Sequence, residues 1–161
     1  IKKAQIVEGK LGKQKITVIL PDTFMNKSGE SLAKMKDLKV KVKNGKKSAE
    51  NLIVIHDDLD IPIGKMKVSW NKSSGGHRGV DSIIKIVKTE AFVRVRIGIS
   101  PTTVSGKMKK PVGEEIVGNF ILAKFKPSES ILLNKVFNKA TEALASVVVE
   151  GKDKAMSQFN G

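Results

Sequence analysis

Apolar and polar residues follow two periods along this chain, and the switches between them outline its elements. Residues 4–7 and 16–20 are strand-like runs separated by a segment holding Gly9 and Gly12, which predicts a hairpin. The second run is apolar on both faces apart from Thr17, the pattern of a central, doubly covered strand, and Pro21 ends it. Residues 28–35 read as a helix with Leu32 and Met35 along one side. Residues 52–55 predict another buried strand, and residues 65–70 set Met66, Val68 and Trp70 against Lys65, Lys67 and Ser69, the period of a half-exposed strand antiparallel at one side of the sheet.

Farther on, Val80, Ile83, Ile84 and Val87 fall at helical i, i+3, i+4, i+7 spacing, with Lys85 and Lys88 on the opposite side. Residues 92–99 return to period two, so Val93, Val95, Ile97 and Ile99 are expected to face inward and Arg94 and Arg96 outward. Residues 101–111 are polar and lysine-rich and read as a mobile loop, followed by a short helix over 114–121. A long amphipathic helix starts near Pro127 and ends at Gly151, as a C-terminal glycine should. Strand, helix, strand alternation without internal repeats indicates a single α/β layer domain over 1–161.

Between these elements, residues 34–47 carry 7 lysines against the single acid Asp37. Asn44-Gly45 is a turn signal inside that stretch. Helix extension and short edge strand both fit it, and its lysines read as a solvated face protecting an edge.

Charge changes the picture most. The 161 residues carry a formal charge of +14, which favours a polyanionic partner, nucleic acid before anionic membrane. Phe and a lone Trp70 are the aromatics, with no Tyr, so a stacking platform for single strands is disfavoured and backbone recognition of folded RNA fits better. No run approaches the roughly 20 apolar residues that span a bilayer. Zero Cys excludes disulfides, thiolate metal sites and Cys nucleophiles, and suits a reducing cytoplasm. The first residue is Ile1, and the opening Ile1-Lys2-Lys3-Ala4-Gln5-Ile6-Val7 reads like the interior of a strand, which suggests natural sequence upstream.

Candidate chemistry gathers at two strand ends and one loop. Thr23-Phe24-Met25-Asn26 follows the strand over 16–20, and His56-Asp57-Asp58-Leu59-Asp60 follows that over 52–55. Ligands in open α/β sheets bind beyond the carboxyl ends of strands, so the two clusters point at one crevice. Asn26 can cap a helix, with Ser28 competing for the post, or donate its amide to a developing oxyanion. Phe24 and Met25 are core fillers or substrate contacts flanking it. Asp57 serves either turn chemistry or the orientation of an imidazole. A metal set from His56, Asp57, Asp58 and Asp60 is weak, because neighbours on a strand point to opposite faces. The loop Asn71-Lys72-Ser73-Ser74-Gly75-Gly76-His77-Arg78-Gly79 leads into the Val80 helix, whose N-terminus suits a phosphate or ester carbonyl, with Arg78 adding a charge-assisted contact.

Taken in order, Thr23-Phe24-Met25-Asn26-Lys27-Ser28-Gly29-Glu30-Ser31, His56-Asp57-Asp58-Leu59-Asp60-Ile61-Pro62-Ile63-Gly64, Ser74-Gly75-Gly76-His77-Arg78-Gly79 with Ser82-Ile83-Ile84, Arg94-Val95-Arg96-Ile97-Gly98-Ile99 and Phe120-Ile121-Leu122-Ala123-Lys124-Phe125 resemble the bacterial-type peptidyl-tRNA hydrolases. The resemblance implies a three-layer α/β/α sandwich around a mixed, mostly parallel twisted sheet, acting as a cytoplasmic monomer. It implies hydrolysis of the ester joining a peptide to the 3′ end of tRNA, with peptidyl-tRNA as partner. No metal, organic cofactor, membrane or DNA is expected to take part. The Asp57 position would orient a catalytic histidine, the Phe24, Met25 and Asn26 positions would contact the tRNA end and peptide, and His77 would line the cleft.

Two departures stand out. The family's general-base histidine belongs to an amino-terminal strand and loop before anything present here, so this chain is expected to be inactive or severely impaired. Arg78 replaces an Asn that many members carry; Arg holds a phosphate more strongly and gives up an amide hydrogen bond. A noncatalytic RNA-binding relative is the alternative, and a metal phosphoesterase would instead place a cation on Asp57 or Asp58.

Overall fold

The computed structural model describes residues 4–33 and 35–160, so Ile1 to Lys3, Lys34 and Gly161, with the parts of the strand and helix readings that fall on them, lie outside the described residues. Twelve elements follow one another along it. Strands β1 (Ala4–Leu11) and β2 (Gln14–Pro21) lead to a 3-10 helix (Met25–Ser31), β3 (Lys41–Lys43), β4 (Lys46–Ser48), β5 (Ile53–Pro62) and β6 (Met66–Trp70). Helix α1 (Arg78–Val87), β7 (Val93–Ser100), α2 (Glu114–Leu122), α3 (Pro127–Glu150) and α4 (Lys152–Phe159) complete it.

The main sheet runs β5-β7-β6, with β7 parallel to β5 and antiparallel to β6. Two antiparallel hairpins, β1-β2 and β3-β4, stand apart from it. Parallel pairing is therefore confined to one pair of described strands, and the mostly parallel sheet expected from the resemblance is replaced by a mixed one. The expectation of a central, doubly covered strand at residues 16–20 is also corrected. Strand β2 pairs with β1, and its Val18 and Leu20 are 49% and 55% exposed. An apolar run marks a strand with two apolar faces, and says nothing of what lies against them.

Two cores flank the main sheet. Met66, Val68, Val93, Val95 and Ile97 pack with Leu133, Val136, Ala140 and Ala143 of α3 and with Ala155 and Phe159 of α4. Val54 and Phe92 pack with Leu32, Ala49, Leu52 and the apolar stripe of α1, Val80, Ile83 and Val87. Burial of each Val, Leu, Ile, Met or Phe side chain among them contributes on the order of 2 kcal/mol. With an apolar layer on both sides, β7 has no solvent face. Arg94 and Arg96, expected to point outward, are therefore covered, Arg94 to 2% exposure. Each has a partner: Arg94 donates one terminal N–H to the Ser73 carbonyl at 2.8 Å while its Nε is buried without a partner, and Arg96 Nε donates to Asp58 Oδ2 at 2.7 Å.

The helix expected over 28–35 is a 3-10 helix placed earlier, Met25–Ser31. It lies so close to α1 that a Cβ on Gly29 would sit 2.2 Å from the Ser82 carbonyl oxygen, while Gly29 N–H donates to Ser82 Oγ at 3.0 Å. Residues 41–48 resolve into an exposed hairpin turning at Asn44-Gly45, both at positive φ, rather than a helix extension. Helix α4 was not foreseen. Its following residue, Asn160, covers the β6 edge by accepting from Val68 N–H and donating to Val68 O, both at 2.8 Å. Among the described residues no helix is long and apolar enough to cross a membrane.

Candidate active site

Strand β5 does not stop at Ile55 but continues through the polar cluster to Pro62, with a bulge between Asp58 and Pro62. The cluster therefore occupies the strand's carboxyl half, and its alternation sends the side chains to different partners. Asp57 meets His77, Asp58 meets Arg96, and Asp60 meets Lys110. His56 turns its ring against His77, centroids 4.8 Å apart and planes at 67°. Among the described residues no three metal-ligating side chains converge.

Asp57 and His77 form the centre. His77 is the N-cap residue of α1, and its Nδ1 accepts from the backbone N–H groups of Gly79 at 3.1 Å and Val80 at 3.2 Å. That use of Nδ1 as an acceptor puts the proton on Nε2, which lies 3.0 Å from Asp57 Oδ1 and donates to it. One imidazole thus ends a helix and holds a carboxylate. The bond from His77 keeps the Asp57 carboxyl below the ordinary Asp range, against the opposing effect of partial burial. His77 itself is placed by the preceding loop, where its N–H donates to Ser74 O at 3.2 Å and Arg94 secures Ser73.

His56 is 9% exposed. Its Nδ1 lies 2.7 Å from the Asp57 carbonyl oxygen and donates there, while its Nε2 is buried without a partner. Burial lowers its pKa to about 4, outweighing the contrary pull of that hydrogen bond. The ring is neutral at physiological pH.

These groups border a cavity of about 1140 Å³ between β2, β5, α1 and α3. Of the clusters singled out in the sequence, Thr23, Met25, His56, Asp57 and His77 line it. Thr23 Oγ1 is likewise buried without a partner. Met25 is drawn in because Gly79 has no side chain: a Cβ there would fall 2.5 Å from Met25 Sδ.

Phe24, Asn26 and Arg78 are not brought into the lining. Phe24 is 80% exposed and Asn26 is exposed beside it. Neither Asn26 nor Ser28 caps the 3-10 helix. Phe24 holds the N-cap position without a side-chain bond, because the helix begins one residue before Asn26. Ser28 Oγ donates to Met25 O at 2.8 Å instead. Arg78 reaches across to Glu114 of α2 at 2.8 Å, both side chains exposed.

Sequence reasoning set Thr23 and His56 in the clusters at the crevice without giving either a role in it, and missed Arg94 and Arg96 as parts of this assembly. Two arginines at alternate positions of an otherwise apolar strand, with an acidic cluster on another strand, were the available signal for the last two. Burial of Asp58 raises its carboxyl, and the bonds from Arg96 and from Asp60 N–H more than offset it, leaving a net lowering.

Known proteins resemble this chain in sequence and in fold. The peptidyl-tRNA hydrolase family model matches residues 1–161. A peptidyl-tRNA hydrolase of Thermodesulfovibrio yellowstonii is 38% identical over 155 residues, 96% of this chain and 75% of the relative. One from a Thermoanaerobacter species is 39% identical over 159 residues, 99% of this chain and 77% of the relative. Among solved structures, a peptidyl-tRNA hydrolase complexed with n-propanol superposes with a TM-score of 0.75 at 26% identity, covering 99% of this chain and 73% of that one. The Acinetobacter baumannii peptidyl-tRNA hydrolase gives 0.74 at 25%, with the same coverage. By sequence and fold together, the chain belongs to the peptidyl-tRNA hydrolase family.

Proposed function

We propose that this chain binds peptidyl-tRNA and hydrolyses the ester between peptide and tRNA, with Asp57 at the centre and Phe24, Met25, Asn26, His77 and Arg78 around the tRNA end. The observation that carries this reading is a carboxylate held on one oxygen by an imidazole N–H, beside a cavity, in a fold that solved peptidyl-tRNA hydrolases share. Asn26 and Phe24, exposed near Met25, are free to meet substrate. The two cores are read as the outer layers of a three-layer α/β/α sandwich. A tRNA substrate fits a protein that works in the cytoplasm, and this reading takes it to act as a monomer.

Ester hydrolysis needs a water whose proton is taken as it attacks the carbonyl carbon, and a donor for the ribose 3′ oxygen as it leaves. Neither histidine is suited to take the proton. The lone pair of His77 is used by the cap of α1, and that of His56 is buried. Asp57 can orient an imidazole or a water, but its lowered pKa makes it a weak base. A general base contributes about 10²–10⁴-fold, so this chain by itself is expected to cleave more slowly than the T. yellowstonii relative by roughly that factor.

The same lone pairs, that of His77 occupied and that of His56 buried, favour a second reading, a noncatalytic RNA-binding relative. An N-acetylated aminoacyl-tRNA incubated with the chain at pH 7 separates the two. Protein-dependent release of free tRNA above the spontaneous rate supports the hydrolase, and tight binding without release supports the binder. A chain that neither binds nor cleaves this substrate contradicts both, and cleavage as fast as the relative's contradicts the argument about the histidines.

A further inference from the structure

We propose that the β3-β4 hairpin and the carboxyl end of α1 together form a contact for the phosphate backbone of the tRNA, remote from the ester site. This inference rests on the proposed function and adds where the body of the RNA lies.

The hairpin is a local conflict. Its register sets Lys43 directly opposite Lys46, and like charges facing each other across a strand pair are destabilising. Lys41, on the same face, is satisfied by Glu50 at 3.2 Å. Among the described residues Lys43, Lys46 and Lys47 have no carboxylate partner, and all are exposed. Val42, between the lysines of β3, is 65% exposed, so the hairpin is not built on burial.

A second segment brings more charge of the same sign. Thr89 Oγ1 donates to the Lys47 carbonyl at 2.7 Å, and Ala49 N–H donates to Ala91 O at 2.8 Å. These bonds seat the hairpin beside the end of α1, where Lys85 and Lys88 are exposed. The acids of this region are Glu50, taken by Lys41, Asp37, whose carbonyl accepts from Asn51, and Glu90. Lys43 and Lys46 on one face of the hairpin, with Lys85 and Lys88 at the end of α1, thus bring four cations from two segments some forty residues apart in sequence to one end of α1, and Lys47 adds a fifth on the hairpin's other face.

Edge protection explains a lysine on each strand. It does not explain an opposed pair or the accumulation at α1. A polyanion does, because its phosphates supply the counter-charge that the fold withholds, and binding releases counterions. The distance fits as well. Helix α1 begins next to His77 and its 10 residues span about 15 Å, so a tRNA whose 3′ end sits at Asp57 has its acceptor stem within reach of the patch.

Affinity for deacylated tRNA, measured across a series of salt concentrations, tests this with two double variants that change net charge equally. K43Q/K46Q removes two patch lysines, and K135Q/K139Q removes two exposed lysines of α3, which packs the other core. K43Q/K46Q is expected to weaken binding about tenfold near 0.1 M salt and to lower the slope of log K against log salt by about two. K135Q/K139Q is expected to stay within about twofold of the unaltered chain. Equal weakening by both variants, or none by the first, overturns the inference while leaving the proposed function standing. So does K43Q/K46Q losing affinity for phosphatidylserine vesicles while keeping its affinity for tRNA. Failure of the unaltered chain to bind tRNA at all is instead a failure of the proposed function.

Discussion

At the scale of single residues, the two imidazoles near Asp57 differ through their hydrogen bonds. His77 spends one nitrogen on a helix cap and the other on a carboxylate. His56 gives its proton to a carbonyl and keeps a buried, unpartnered nitrogen. With a folded pKa of about 4 against an ordinary 6.5, His56 binds a proton more readily in the unfolded chain. Its contribution to stability is therefore full above pH 6.5 and is lost as pH falls toward 4, a loss of roughly 3 kcal/mol. Urea unfolding at pH 7 and pH 4.5 should show His56→Phe losing distinctly less stability between the two than the unaltered chain. Parallel losses would mean that His56 is not buried in neutral form.

At the scale of elements, the site depends on a close contact between the 3-10 helix and α1, with Gly29 at its tightest point. Gly29→Ala places a methyl group where backbone already lies and is expected to cost about 1–3 kcal/mol, read from the urea midpoint with an unchanged slope. A variant of unaltered stability would show that the two helices are farther apart. Elements with an undivided pattern were legible in the sequence: α1 from its stripe, α3 between Pro127 and Gly151, and β6 from its alternation. The others depended on partners that pattern does not specify. Arg94 and Arg96 look solvent-facing until a second core covers β7. Residues 16–20 look central until β2 proves to pair with β1 alone among the described strands. Helix α4 is short and polar along most of its length, and is held by Ala155, Phe159 and the Asn160 amide, none conspicuous in sequence. Of the candidate site, Asp57, His77 and Met25 were legible because they belong to polar clusters at strand and helix ends, where a shared crevice forms, although Phe24 and Asn26 of the same clusters stay outside its lining. His56 was not, since its role follows from burial and a neighbouring ring.

At the scale of the whole molecule, a strongly basic chain carries a small polar centre at the carboxyl half of β5, inside a fold whose family cleaves an ester on tRNA. In the proposed function charge and centre make separable contributions: the lysines would set affinity and its salt dependence, and Asp57 would set the rate. The central claim is that Asp57 acts in the chemistry rather than in holding RNA or fold. Single-turnover cleavage of N-acetylaminoacyl-tRNA by the unaltered chain and by Asp57→Asn, with tRNA affinity measured alongside, tests it most directly. The account predicts that Asp57→Asn binds tRNA within about twofold of the unaltered chain but loses at least about tenfold of the protein-dependent cleavage rate. Equal cleavage rates, or a loss wholly explained by weaker binding, would contradict it.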